Sequence, residues 1–218
     1  MSSNVQTAPQ SQGSTSSRAA RMSTTRYVVV CAMLSAVAFV LMMLEFPLPM
    51  LIPSFVKMDV SDLPALLGSF SLGPAAGVVV ALGKNLLNIV ISGTTSAGIG
   101  ELCNFGLNAA FAFTAGLIYK LHKNRKGAII GCLVGAVVMG VFSVPLNYFV
   151  TYPFYAAAFG GMENIIAAYQ TILPSVEGLL ECLLIFNLPF TIAKGILCSV
   201  VCIMVYKPLS PLMHGRMG

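Results

Sequence analysis

Five apolar runs, at 27–44, 72–91, 99–121, 128–148 and 176–206, fill most of this 218-residue chain. Each is long enough to cross a bilayer core of about 30 Å, which takes about 20 residues of helix. Backbone N–H and C=O groups find no water inside hydrocarbon, so a spanning segment must satisfy them internally, as a helix does. The sequence is therefore read as an all-α membrane protein. Composition agrees: 9% of residues are charged and 57% hydrophobic, against roughly 25% charged in soluble domains. Too few charges remain to clothe a water-facing surface, which excludes a soluble enzyme, a disulfide-rich secreted module and a disordered chain.

Where the charges fall sets the topology. Arg18, Arg21 and Arg26 precede the first run. Lys120, Lys123, Arg125 and Lys126 lie between the third and fourth runs, and Lys207 and Arg216 follow the last. The positive-inside bias places all three groups in the cytoplasm. The chain must then cross an even number of times between Arg26 and Lys120, where three strong runs lie. The missing crossing is assigned to 62–71, about half the usual length and closed by Gly73 and Pro74. The expectation is six transmembrane helices, the second unusually short, with both termini cytoplasmic. Residues 1–22, rich in Ser, Thr, Gln and Ala, are expected to be a disordered polar tail. Residues 23–212 form the membrane domain and 213–218 a C-terminal tail. The first run is too long for a signal-peptide core and is read as a retained helix. The net charge of +5 is thus an orientation signal. It implies a lipid bilayer as partner and no nucleic acid.

Polar groups at membrane depth are costly, so they usually face a cavity or one another. Lys84, Asn85 and Asn88 lie in the third expected helix, Glu101, Asn104 and Asn108 in the fourth, Asn147 at the end of the fifth, and Asn187, Thr191 and Lys194 in the sixth. The spacings 84/88, 101/104/108 and 187/191/194 each put side chains on one helix face. Together they outline a pocket open to the outside, mostly of amides, suited to a neutral ligand rich in hydrogen-bonding groups. The competing reading is that these groups bond to one another and hold the helices together. Two apolar stretches, 46–53 and 151–174, are read as extracellular loops able to cover a planar ligand, and Glu163, Glu177 and Glu181 as solvated.

No catalytic or metal-binding constellation is visible. The Gly-Lys at 83–84 lacks the spacing and the Ser or Thr of a phosphate loop. Cys31, Cys103, Cys132, Cys182, Cys198 and Cys202 form no C-x-x-C pair, and His122 and His214 stand alone. Small residues four apart, Ala32 with Ala36 and the series Gly127, Gly131 and Gly135, allow close helix approach, inside the bundle or against another membrane protein.

An ordered succession of short motifs gives the chain a resemblance. They are the Ala32/Ala36 surface, Glu45-Phe46-Pro47, the segment from Asp59 through Asp62 to Gly68, and Leu72-Gly73-Pro74. Lys84-Asn85, Ser92-Gly93-Thr94, Gly98 through Glu101 to Asn104, Pro145-Leu146-Asn147 and Pro189-Phe190-Thr191 through Lys194 follow. The sequence resembles the substrate-binding S components of energy-coupling factor transporters, most closely the riboflavin-specific branch. The resemblance implies a six-helix bundle that captures riboflavin from outside as a transported ligand, with no cofactor and no energy source of its own. A transmembrane coupling protein and two cytoplasmic ATPases would drive delivery, with Ala32 and Ala36 touching the coupling protein. It implies that Asn147 and an N-x-x-K pair bind the flavin ring. Lys194 matches that lysine, whereas Thr191 stands at the Asn position, and Asn187, one turn earlier, is the candidate to compensate. Lys84, Asn85, Glu101 and Asn104 complete the expected site. Other vitamins or precursors (thiamine, biotin, folate, a queuosine precursor) and a non-transport membrane assembly role are the alternatives.

Overall fold

The structure is a computed structural model that describes residues 24–213 apart from Thr95 and Phe159, with side chains as far as Val205. The tail expected at 1–22 and the residues after Met213 lie outside the described residues.

The five apolar runs are five long helices. The first, α1 (Thr24–Met43), turns Cys31, Ser35, Ala38, Phe39 and Met42 inward, a spacing that follows the helical period. Its other face exposes Val29, Met33, Val37 and Val40, as a helix facing lipid does. Two residue pairs then join Phe46–Pro47 (β1) to Lys57–Met58 (β2) in a short antiparallel strap, with Phe46 opposite Met58. The short crossing predicted from charge parity corresponds to α2 (Leu63–Leu72). Ten residues of helix rise about 15 Å, half the hydrocarbon core. Every residue of α2 from Pro64 to Phe70 is buried, so it runs down the middle of the bundle, away from lipid.

Gly73, at φ 105°, reverses the chain, and Pro74 opens α3 (Pro74–Leu87). A left-handed φ and a fixed helical φ in succession suit this pair of residues to a tight helix–helix turn. The two helices close against each other at Gly77, where a Cβ would lie 2.8 Å from the Ala65 carbonyl and 2.9 Å from Ala112 Cβ. Two further helices, α4 (Ile99–Leu121) and α5 (Arg125–Leu146), pack antiparallel through Ala115 on Gly131 and Phe111 on Gly135. The small-residue face of α5 is therefore internal. The helical column of α5 continues to Ala158 through a wide turn, Asn147–Thr151, and α6 (Tyr152–Ala158). A separate α7 (Met162–Gln170) follows. The stretch read as a loop from 151 is thus largely helical. The last column comprises α8 (Leu179–Cys182), a second wide turn (Leu183–Asn187) and α9 (Leu188–Met213). It packs against α5 where Gly195 meets Ala136 and Gly140 meets Ile192.

These contacts fix relative directions. Leu34 of α1 meets Gly68, and the strap pairs Phe46, just after α1, with Met58, just before α2, so α1 and α2 run oppositely. Direction reverses again at α3, α4, α5 and α9. The start of α1, the α4–α5 turn with Lys120 to Lys126 and the end of α9 therefore share one end of the bundle, as the charge pattern requires.

Replacing Gly77 with Val should cost about 1–3 kcal/mol through overpacking, because the clash is with backbone and a helix-borne methyl. Thermal unfolding in detergent will show it. The control Gly178→Ala, where nothing lies within 4 Å of an added Cβ, should be near neutral.

Candidate functional site

The bundle end opposite the basic residues opens into a cavity of about 740 Å³, within the range of sites for drug-sized ligands. Its walls are the end of α3, the first half of α4, the α5–α6 column, the start of α9 and the chain from Glu45 to Asp62. Three of these walls contain a π-helical turn: Asn88–Ser92, Asn147–Thr151 and Leu183–Asn187. Asn88, Asn147 and Asn187 thus reach the cavity from widened backbone, a distortion frequent at functional sites. Two of these turns are followed, after one residue, by Pro153 and Pro189. Proline lacks an N–H and its ring pushes away the carbonyl four residues back, which disfavours the regular α ladder just there.

On α4, Glu101 is buried at the cavity wall. Its Oε2 accepts from Thr94 Oγ1 at 3.0 Å and Ser96 Oγ at 3.2 Å, and its Oε1 accepts from Asn88 Nδ2 at 3.4 Å. One turn on, Asn108 donates to Asn104 Oδ1, and both line the cavity. Asn147 and Thr191 also line it. Among the described residues neither makes a side-chain hydrogen bond, which leaves their polar groups open to a ligand.

Lys194 lines the cavity and donates to Asp59 Oδ2 at 2.7 Å. Asp59 Oδ1 accepts from the Ser61 amide at 2.8 Å and from Ser61 Oγ at 2.5 Å. Burial alone would raise the Asp59 carboxyl pKa, but the charges of Lys194 and Lys84 pull it well below the usual carboxylate range. Lys84 donates to Ser61 Oγ at 2.8 Å and to Asp62 Oδ1 at 3.0 Å. One segment, 59–62, thus neutralises both membrane-depth lysines.

The structure does not bring two of the expected site residues to the cavity. Lys84 is fully buried behind the wall, held by Asp62. Asn85 is buried too, and its Nδ2 bonds the Ala81 carbonyl of its own helix at 2.8 Å. Asn187 does line the cavity, but both ends of its amide are engaged. Its Oδ1 accepts from Tyr169 OH at 2.7 Å and its Nδ2 donates to Tyr152 OH at 2.8 Å. Burial, and then the neighbouring Tyr152, push the Tyr169 phenol upward, so it stays a donor at physiological pH. Ala32 and Ala36 do not line the cavity and are exposed on the outer face of α1.

Asp59, Ser61, Asp62, Tyr152 and Tyr169 escaped the sequence reading as site residues. A signal existed for the aspartates: two lysines at membrane depth require counter-charges, and 59–62 holds the nearest unassigned acids.

A family model described as the substrate-specific component of ECF transporters matches residues 26–206. The riboflavin transporter RibU of Staphylococcus aureus (strain TCH60) is 37% identical over 88% of this chain and 95% of its own length. The riboflavin transporter FmnP of Bacillus subtilis (strain 168) is 33% identical over 84% of this chain and 92% of its own length. A solved structure described as the S component of a bacterial ECF transporter superposes with a TM-score of 0.67 at 36% identity, covering 88% of this chain and 99% of the other.

Asp59→Asn should strip Lys194 of its counter-charge and cost about 3–5 kcal/mol, the usual penalty for breaking a buried pair. The mouth pair Lys57–Glu45 is substantially exposed, so Glu45→Gln should cost no more than about 1 kcal/mol. Thermal melts of the two variants side by side measure the difference.

Proposed function

The chain belongs to the substrate-specific components of ECF transporters, and from that membership we propose that it captures riboflavin at the outer face of a bacterial plasma membrane for delivery inward by an energy-coupling module. The observation that carries this reading is the similarity to riboflavin transporters over nearly their whole length. The cavity's chemistry supports it. The flavin ring alternates hydrogen-bond acceptors with an imide N–H, and an Asn amide offers both a donor and an acceptor. Asn147 provides that amide, Thr191 a hydroxyl and Lys194 an ammonium from the facing helix. Phe154, Tyr155 and Phe190 supply aromatic surface for a planar ring. Asn104 and Glu101 offer further polar partners for the ribityl hydroxyls.

In this reading the shared end of the helices, with its basic residues, faces the cytoplasm by the positive-inside bias, and the cavity faces outward. Ala32 and Ala36 present small side chains on an exposed helix face, where a second helix can approach closely. We assign that face to the transmembrane coupling protein, with two cytoplasmic ATPases as the energy source.

Detergent-purified protein should quench flavin fluorescence with saturable binding, and Asn147→Ala should weaken it by about 1–3 kcal/mol, roughly 5- to 150-fold. Absence of binding at micromolar riboflavin would refute the vitamin assignment. Ala32→Val with Ala36→Val should leave flavin binding intact and abolish uptake by cells carrying the coupling module. Undiminished uptake would remove the docking assignment.

A further inference from the structure

Charge around the cavity is unevenly matched. Among the described residues, each ammonium that lines it is tied to a carboxylate: Lys57 to Glu45, and Lys194 to Asp59. Lys84, behind the wall, is tied to Asp62. Glu101 differs. It lines the cavity, is buried, and receives hydrogen bonds from the neutral donors Asn88, Thr94 and Ser96. Among the described residues it has no cationic partner.

Its place on α4 adds weight. Glu101 lies in the first turn of that helix, where free amides and the helix dipole favour an anion. A phosphate seeking a helix N-terminus would find the protein's own carboxylate there. The Gly100 amide is also already spent on Ser96 Oγ, at 2.9 Å. A phosphate monoester carries about −1.5 to −2 charge at neutral pH. In a partly desolvated cavity its repulsion by a fixed carboxylate is stronger than in water.

We propose that Glu101 is a specificity-determining residue that turns the cavity against phosphorylated ligands, so that riboflavin is bound in preference to its 5′-phosphate. The inference rests on the riboflavin reading and adds the residue that discriminates within that ligand class.

Fluorescence titration of the purified protein with both flavins tests it. Wild type should bind the phosphate at least about tenfold more weakly, since like charges brought together in a binding site cost more than the 1.4 kcal/mol this ratio represents. Glu101→Gln should lower the phosphate-to-riboflavin ratio of dissociation constants severalfold, whatever it does to riboflavin itself. Asn88→Lys, which gives Glu101 a counter-charge and leaves Thr94 and Ser96 in place, should lower the ratio too and covers the case in which Glu101→Gln does not fold. Equal affinities in wild type, or an unchanged ratio in either folded variant, would overturn the proposal. A wild type that binds neither flavin refutes the vitamin reading and this proposal with it, whereas riboflavin binding without discrimination refutes the role of Glu101 alone.

Discussion

Two lysines at membrane depth have to be neutralised, and one four-residue segment neutralises both. Asp62 takes Lys84 from α3, Asp59 takes Lys194 from α9, and the Ser61 hydroxyl stands between, accepting from Lys84 and donating to Asp59. The outcome is two cations and two anions in one connected network. Buried pairs of this kind seldom add net stability over a well-packed apolar core. Their consequence here is positional: the network fixes the start of α2 between α3 and α9. That anchoring places a ten-residue helix in the bundle centre and leaves the space above it for the cavity.

Widened helices complete that space. A regular α-helix presents a smooth wall, and three of them would close on one another at 8–10 Å axial separation. The π turns push backbone outward and swing Asn88, Asn147 and Asn187 toward the middle. Asn187 is then locked by the two tyrosine hydroxyls, which joins α6, α7 and the last column in one buried polar knot. Phe55 from the strap packs edge-on against Tyr152, Tyr155 and Tyr169. The strap over the cavity is thereby seated on the same knot that shapes the wall.

Much of this was legible in the residues. Long apolar runs declared the helices, and the parity of basic clusters located α2 even though its length alone would not. The stripes 101/104/108 and 187/191/194 did converge on one cavity, because helical periodicity needs no tertiary information. Lys84 and Asn85 misled because periodicity says which side chains share a face, not whether that face meets a cavity or a neighbouring helix. The helix continues past Tyr148, where the sequence places a loop from 151, because the π turn at Asn147–Thr151 carries the column on and accommodates Pro153. The Tyr152–Tyr169–Asn187 knot joins residues up to 35 positions apart, and no local pattern announces such a contact.

The network also bears on the energy source. Its Gly-Lys pair at 83–84, superficially a nucleotide-binding sign, is consumed by structure: Gly83 lies against Ser35 of α1, and Lys84 is sealed by Asp62. A cavity that captures a ligand on one side of a membrane must lose affinity for it before it can deliver it on the other. Releasing it inward requires work that binding alone does not supply, because a ligand shifts an equilibrium only by its differential affinity for the two states. In the proposed reading, the exposed α1 surface carrying Ala32 and Ala36 is where that work would be delivered. Ser35, on the opposite face of the same helix turn, bonds the Cys31 carbonyl and packs against Gly83, one residue from Lys84. Work applied to the outer face of α1 is thus applied close to the charge network on which the cavity is built.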